Sequence, residues 1–477
     1  MEFVQEAFTD QERAILAPHF TNLDGPVFAL VGLPEVVKGA LFARYSRSPK
    51  SLRRLFLDEF VADADRLGAG SGTVSTGIVR AEALYERVFF EYGDDSVAQL
   101  GGVHLALEQS SQLLAKVLEW GRLAAYLEQS TRYVPYDDRP GGRWRYAVPD
   151  EIAATPELDE RFRSMADRAF ETYARWLGPL QAYLSDLTPR GRDDSDFVHR
   201  MAIRAKACDA LRGLLPAATR THVGMFATAQ AYEQLLLRMR AHPLAEVRTY
   251  ADLILAELRK VIPAFLTRVD RPDRGGRWSQ YLRETREATA VTVASMLAGE
   301  DPEPRPEVVL TDFDPDGEVK VVAVALYAAS SLPDDQLLAT ARRMSSHERA
   351  SVLRAYVGER TNRRHKPGRA FERTTYRFDI LCDYGAFRDL QRHRTLTIEW
   401  QALTPGHGYE IPSIIVEAGG ADDWRRVMEE SAQVHAGLLA AGLGEAAQYA
   451  VSMAYRVRFV MQMNAREAMH VIELRTT

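Results

Sequence analysis

The chain predicts an α+β protein built from two similar halves in tandem. Three observations carry this. The stretch AGEDPEPRPE, within Leu297 to Val308, is acidic and has three prolines, so it reads as an exposed linker that parts the chain. Both sides of it open alike, with a short β-branched run, a proline-containing turn and an Ala-rich apolar segment. Both sides later run a hydrophobic stretch into a polar motif and close with a helix, an order that reads as an internal repeat at domain scale with faint identity.

In order, VFALVGLPEVV precedes Leu41-Phe42-Ala43-Arg44-Tyr45-Ser46, where a helix is expected to begin. HLALEQSSQLLAKVLEWGR ends at Arg122, with Leu113, Leu114, Val117 and Leu118 at helical spacing. TAQAYEQLLLRMR, followed by HPLAEVRTYADLILAEL, closes the first half as helix. Beyond the linker, VVLTDFDPDGEVKVVAV precedes Leu326-Tyr327-Ala328-Ala329-Ser330-Ser331. YRFDILCDYGAFRDLQRHR reads as a strand, Tyr376 to Leu381, entering a helix that Pro405 and Gly406 should end. MNAREAMHVIELR is the last helix.

The 477 residues suffice for two or three domains with full cores. A composition 46% hydrophobic and 26% charged is that of a soluble globular protein. The net charge of −6 gives no general attraction to nucleic acid or to anionic membrane, so an anionic ligand must be held by local arginines. Two cysteines, Cys208 and Cys382, argue against a disulfide framework and a cysteine-rich metal site, and no metal ligand set is expected. The N-terminus is acidic without an apolar run, and the apolar run near Val321 to Ala329 is too short to span a bilayer, so a cytoplasmic protein is the expectation.

Two segments stand out. The first is Glu128-Gln129-Ser130-Thr131-Arg132-Tyr133, which alone reads as a helix terminus with a Ser/Thr turn and a surface arginine. The second is Arg392-His393-Arg394, which alone reads as a basic helix end favourable to the helix dipole. On one helix Arg392 and Arg394 would point about 200° apart and could not serve one patch. Glu372, Asn464-Ala465-Arg466 and Arg475 are, taken singly, ordinary polar residues of a strand edge and a surface helix.

Their order resembles one family, the flavin-dependent thymidylate synthases (ThyX). There, RHR, seven residues and Ser-x-Arg-Tyr form one continuous motif. Here the first half keeps the end of that motif and the second half keeps its beginning. Strand with Glu, RHR, Asn-x-Arg and then Leu-Arg follows the family across most of 306–475. The resemblance implies two modules, each a small mostly antiparallel sheet packed with long helices: 1–296 would carry the nucleotide pocket and 306–477 the FAD side.

Residue by residue, the resemblance implies that Glu128, Gln129, Ser130, Thr131, Arg132 and Arg212 hold dUMP or a related uracil nucleotide, with Arg392 and Arg475 reaching it from the other module. Glu372, Arg392, His393, Arg394, Asn464 and Arg466 would hold FAD. Arg392 and Arg132 would be the catalytic arginines, and Arg240 fits the family's late-helix arginine. The reaction implied is reductive methylation of dUMP at C5, with methylenetetrahydrofolate as carbon donor and NADPH as reductant. A homodimer, which the resemblance implies, would give the four modules of a ThyX tetramer.

The chain departs from the family in a patterned way. After RHR and seven residues, Ala402-Leu403-Thr404-Pro405 replaces the Ser and Arg. In the first half, Trp120-Gly121-Arg122 stands where RHR should. The family's Gln three positions before the first Arg is Asp389. Each charge-assisted hydrogen bond is worth roughly 1.5–3 kcal/mol, so FAD is not expected to bind through the first half alone. One composite site therefore keeps nearly every residue and the other almost none, as retained function at the first would leave; the alternative is a catalytically inactive flavin- or nucleotide-binding regulatory or structural paralogue.

Overall fold

The computed structural model describes residues 6–26, 28–45, 48, 50–61, 99, 101–191 and 195–476. Ser46, included in the first expected helix, lies outside them. The chain forms two compact units that interleave along the sequence: 1–108, 123–128 and 222–298 make the first, and 109–122, 129–221 and 299–477 the second.

The principal helices are α1 (Glu35–Tyr45), α2 (Gln112–Leu118), α3 (Pro156–Leu187), α4 (Asp196–Leu211), α5 (Ala229–Arg240), α6 (Ala245–Leu258), α7 (Arg277–Met296), α8 (Gly317–Tyr327), α9 (Asp334–Arg343), α10 (Ser346–Val357), α11 (Tyr384–Gln391), α12 (Ala421–Ala440) and α13 (Ala465–Arg475). The strands are β1 (Gly102–Ser111), β2 (Ala124–Glu128), β3 (Arg220–Thr228), β4 (Val308–Phe313), β5 (Thr375–Asp383), β6 (Thr397–Trp400) and β7 (Arg456–Asn464).

The first unit holds a three-stranded sheet of order β1-β3-β2, whose β2 pairs antiparallel with β3 in the register Ala124↔Ala227 to Glu128↔Val223. Alternate residues of β3 point inward, so Val223, Met225 and Ala227 are buried, together with Tyr232, Leu235 and Leu236 of α5. The Tyr232 hydroxyl donates to the Val103 carbonyl at 2.9 Å, which satisfies a buried phenol.

The second unit holds an antiparallel sheet of order β4-β5-β7-β6. Val457, Phe459, Met461 and Met463 of β7 are buried, and the Phe387 ring of α11 lies 5.0 Å from that of Phe459. The long helix α3 buries Phe162, Phe170 and Tyr173, and its Trp176 donates to Asp423 of α12 at 2.9 Å.

The internal repeat has a topological signature. The order β1-β3-β2 in one sheet is matched by β5-β7-β6 in the other, with α2 and α11 following the first strand and α5 and α13 following the last. The stretches leading into β3 and β7 pair with each other inside the second unit. Pro216 bridges Ser452 antiparallel, Ala217 N donates to the Val451 carbonyl at 2.8 Å, and Met453 N donates to that of Leu215 at 2.9 Å.

Three local expectations need correction. The helix after β5 does not run to Pro405 but ends at Gln391, because the chain must turn and extend by Thr397 to pair with Gln462 of β7. Arg392 is the helix cap, so Arg392 and Arg394 stand in a turn and the 200° argument does not apply. The apolar run VKVVAV belongs to α8, which starts at Gly317, rather than to the preceding strand. Among the described residues of 26–34, the expected strand is reduced to a single bridge, Leu30 to Phe20.

Candidate functional site

The site lies in the second unit and centres on one carboxylate. Asp389 sits on the last turn of α11, one turn before Arg392, whose guanidinium pairs with it. Arg475, the last residue of α13, donates from Nη2 to the Asp389 main-chain carbonyl at 2.5 Å and holds Nη1 3.6 Å from the carboxylate. Arg212 caps the end of α4 and brings Nη1 within 4.0 Å of Asp389, while Nη2 lies 3.1 Å from Asp209. Arg132 acts on the same carboxylate through its charge. Two of these arginines precede the linker and two follow it.

Local sequence explains each placement. The Ser130 hydroxyl accepts from Arg132 N at 3.3 Å, and Tyr133 N and Val134 N donate to the Ser130 carbonyl, so the Ser-Thr-Arg segment is a tight turn that presents Arg132. The Thr221 hydroxyl ties the Gln129 carbonyl at 3.3 Å, and Thr131 is buried. Glu128 ends β2 in the first unit and is itself buried. Gly385 lets Arg212 lie close to the first turn of α11, since a Cβ there would stand 3.1 Å from Arg212 Nε.

Behind the arginines runs a chain of buried hydrogen bonds. Arg475 Nε donates to His393 Nε2 at 3.1 Å, and His393 Nδ1 faces Glu467 at 3.1 Å. The arginine can only donate, so His393 accepts at Nε2 and donates from Nδ1. The Thr395 hydroxyl also donates to Glu467. Both ring nitrogens of the buried His393 are thus engaged inside the protein, where the ring orients Arg475. Asn464 is the N-cap of α13, its side chain accepting from Glu467 N at 2.9 Å.

On the other expected side, Arg466 donates to Glu372 at 3.0 Å and to the Pro367 carbonyl at 3.0 Å. Arg394 is exposed. The Nε of Arg392 is buried with no hydrogen-bond partner among the described residues. Arg240 sits in the first unit and pairs with Asp252 at 2.7 Å.

The electrostatics follow from this packing. Burial alone would raise the Asp389 carboxyl, but the guanidiniums of Arg392, Arg132, Arg212 and Arg475 outweigh it and hold it below the usual carboxylate value. Burial would likewise raise Glu467, and the hydrogen bonds from His393 and Thr395 hold it low instead. Burial first, and then Asp383, pushes the Cys382 thiol up to about 12, and burial raises Cys208, so neither is a ready thiolate.

At the other expected composite site the side chains are engaged within the protein. The Trp120 ring meets Trp400 edge-on at 6.2 Å. Arg122 donates to the Leu396 carbonyl at 3.3 Å and to the Thr397 hydroxyl at 3.0 Å. Gln448, which occupies the repeat position of Arg212, accepts from Leu403 N at 3.1 Å.

A cavity of about 730 Å³ borders the site, lined among others by Arg212, Gly385, Lys206, Asp383 and Arg456, but not by Arg132, Arg392 or Arg475. Among the described residues no group of three or more His, Cys, Asp or Glu is placed to hold a metal ion, and no helix is long and apolar enough to cross a membrane. Sequence reasoning missed Gly385 and Glu467. Only the second had a signal, the spacing Asn464-x-x-Glu467 that marks a helix start.

Comparison with known proteins agrees with this arrangement. The family model described as thymidylate synthase complementing protein matches residues 43–264 and 309–477. A UPF0159 protein of Chlamydia pneumoniae is 38% identical, over 99% of this chain and 89% of its own length. A UPF0159 protein of Chlamydia muridarum is 39% identical, over 98% and 89% respectively, and one of Thermoplasma acidophilum is 28% identical, over 92% and 88%. With both matched segments contributing arginines to one cluster, the chain belongs to the thymidylate synthase complementing protein (ThyX) family, as a tandem of two family modules.

Proposed function

We propose that this protein is a FAD-dependent thymidylate synthase, which methylates dUMP or a related uracil nucleotide at C5 with methylenetetrahydrofolate and NADPH, at one composite site per chain. The observation that carries the reading is the cluster of Arg132, Arg212, Arg392 and Arg475, drawn from both halves, beside a second site whose Trp120, Arg122 and Gln448 are engaged within the protein. Forked, permanently charged donors suit a nucleotide phosphate.

The side chains fit a flavin dinucleotide. Arg394 is exposed, the Nε of Arg392 has no hydrogen-bond partner among the described residues, and Arg466 is held by Glu372, so these forked donors would meet an anionic pyrophosphate. Reduced FAD would supply hydride and carry the redox chemistry. The chain's own part is to bind and orient: Arg132 and Arg212 on the nucleotide, Arg392 between nucleotide and cofactor, and His393 holding Arg475 in place. No protein nucleophile is called for, in keeping with two thiols raised by burial. The solution form fitting this reading is a homodimer in the cytoplasm.

A second reading has a specific observation in its favour. Asp389 already neutralises part of the arginine cluster, as it would in a flavin- or nucleotide-binding protein without turnover. Purified protein reconstituted with FAD should be yellow and should release tritium from 5-tritiated dUMP when supplied with methylenetetrahydrofolate and NADPH. A colourless protein would sink the first reading; a yellow one that binds dUMP without tritium release would support the second. Arg132→Ala and Arg392→Ala should each weaken dUMP binding about tenfold to a hundredfold, by loss of charge-assisted bonds. Arg122→Ala should leave it unchanged, because Arg122 is spent on Leu396 and Thr397.

A further inference from the structure

A second concentration of positive charge lies on the strap between α10 and β5. Residues 354–369 carry six Arg and Lys side chains against one acid, Glu359, in a chain of net charge −6. The strap is fastened to α13. Arg360 pairs with Glu473, and Lys366 Nζ stands 2.8 Å from His470 Nδ1 and 3.6 Å from Glu473. Arg466 Nε donates to the carbonyl of the buried Pro367 at 3.0 Å. The His470 ring meets that of His393 edge-on at 5.4 Å, and His393 in turn holds Arg475. Only two side chains, His470 and His393, thus separate the strap from an arginine of the candidate site.

The tip of the strap is a built turn. His365 N donates to the Asn362 carbonyl at 3.1 Å, and Arg364 N donates to Asn362 Oδ1 at 2.9 Å. Asn362 therefore closes a β-turn and an Asx-turn together, with Arg363 and Arg364 at the two central positions. Thr361 N donates to His365 Nδ1 at 3.3 Å and Arg360 Nε to the His365 carbonyl at 2.5 Å, which tie the two sides of the turn. Arg360 and Lys366 are held on α13, and Arg369 pairs with Glu372 at 2.9 Å. Arg363 and Arg364 are exposed, and among the described residues neither guanidinium has an ion pair or a hydrogen bond. Two neighbouring forked cations are held out on a fixed turn that needs neither of them to form.

Forked guanidiniums on a rigid turn suit carboxylates or phosphates. Single-stranded nucleic acid would also ask for aromatic rings to stack its bases, and 359–366 holds no Phe, Trp or Tyr, while the net charge of −6 gives nucleic acid no wider attraction. A short, flexible oligocarboxylate asks for no more than the turn offers. The carbon donor of the proposed reaction ends in such a group: a folate closes with a glutamate that can be extended through its γ-carboxyl, and each added residue leaves one free carboxylate. We propose that the Arg363-Arg364 turn is a subsite for the oligo-γ-glutamate tail of the folate substrate. This rests on the thymidylate synthase reading for the folate itself, whereas capture of the tail by the turn can be measured without it.

The test is titration of the full chain by calorimetry with 5-formyltetrahydrofolate carrying one or five glutamates, at low salt, where screening is weak. Exposed ion pairs are worth little singly, so two of them should make the pentaglutamate bind about tenfold more tightly, tenfold being 1.4 kcal/mol. The double variant Arg363→Ala/Arg364→Ala should bind both forms alike, with the affinity for the monoglutamate unchanged. Fluorescein-labelled penta-γ-glutamate with no folate head should bind the unaltered protein and not the double variant. Equal affinity of the unaltered protein for the two folates, a preference that survives in the double variant, or failure of the labelled tail to bind overturns the proposal. Tighter binding of a single-stranded oligonucleotide of equal charge, displacing the tail, also overturns it and makes the turn a nucleic-acid contact. Capture of the tail through Arg363 and Arg364 with no binding of either folate would support the oligocarboxylate subsite and strike the thymidylate synthase reading.

Discussion

Glu467 is the residue on which the geometry of the arginine cluster turns. It is buried, it accepts from His393 and Thr395, and through His393 it fixes Arg475. Its carboxyl is held below the ordinary value of 4.5 despite burial, so its ionised form is the one the folded state favours. The sign of the linkage follows. A carboxyl depressed on folding contributes stability that is fully present above its unfolded value, and that stability is lost as pH falls through the lower folded value. Glu467→Gln should therefore destabilise the protein at pH 7, by about 1–3 kcal/mol for the compromised buried bonds. It should also flatten the fall in stability below pH 4.5. Thermal melts from pH 3 to pH 7 check both effects, and a variant whose profile parallels the parent's would remove Glu467 from this role. Because Arg475 loses its anchor, the same variant should bind phosphate more weakly even at pH 7.

The repeat is written most plainly in the helix starts. Ser111 caps α2 and Asp383 caps α11, each accepting a hydrogen bond from the third residue beyond it. Thr228 caps α5 and Asn464 caps α13 in the same way. The residues differ but their chemistry does not, since any short polar side chain can satisfy the first-turn N–H groups. Asn464 consequently has two possible duties, which substitutions can separate. Asn464→Ala should cost about 1 kcal/mol of stability, whereas Asn464→Ser, which keeps a cap, should cost a few tenths. If the amide also touches flavin, both should lose yellow colour on dialysis at a similar rate, and retention of colour by Asn464→Ser would confine the residue to capping. For these four helices a start was legible in sequence, because a cap is a local event. The end of α11 was not. No Gly or Pro marks Arg392, and the helix stops only because β6 is drawn into the sheet by β7, a partner some 60 residues further along. The same limit hid the setting of Asp389: its departure from the family pattern could be read, but not the four arginines around it, two of which precede it by more than 170 residues.

At the scale of the whole molecule, order along the chain and compactness in space diverge. Segments 109–122 and 129–221, before the linker, belong to the same unit as everything after it. Inside that unit the halves share main-chain bonds between 213–218 and 449–454. They are joined further by Tyr384 Oη to the Gln112 carbonyl at 3.3 Å and by Gln391 Nε2 to that of Lys116 at 2.9 Å. The proposed composite site draws Arg132 and Arg212 from one side of the linker and Arg392 and Arg475 from the other, so on that reading integrity of the packing matters and integrity of the linker does not. The stretch 299–307 is exposed and carries no regular structure. A specific protease site inserted between Glu300 and Pro304 should therefore be cut readily without dispersing the protein. The cut material should elute from a sizing column at the position of the uncut protein, separate into two fragments only in denaturant, and bind phosphate as before. Its melting temperature should become dependent on concentration, since folding is now an association. Elution as two separate peaks under native conditions would mean that the tether, rather than the shared core, holds the two halves of the site together.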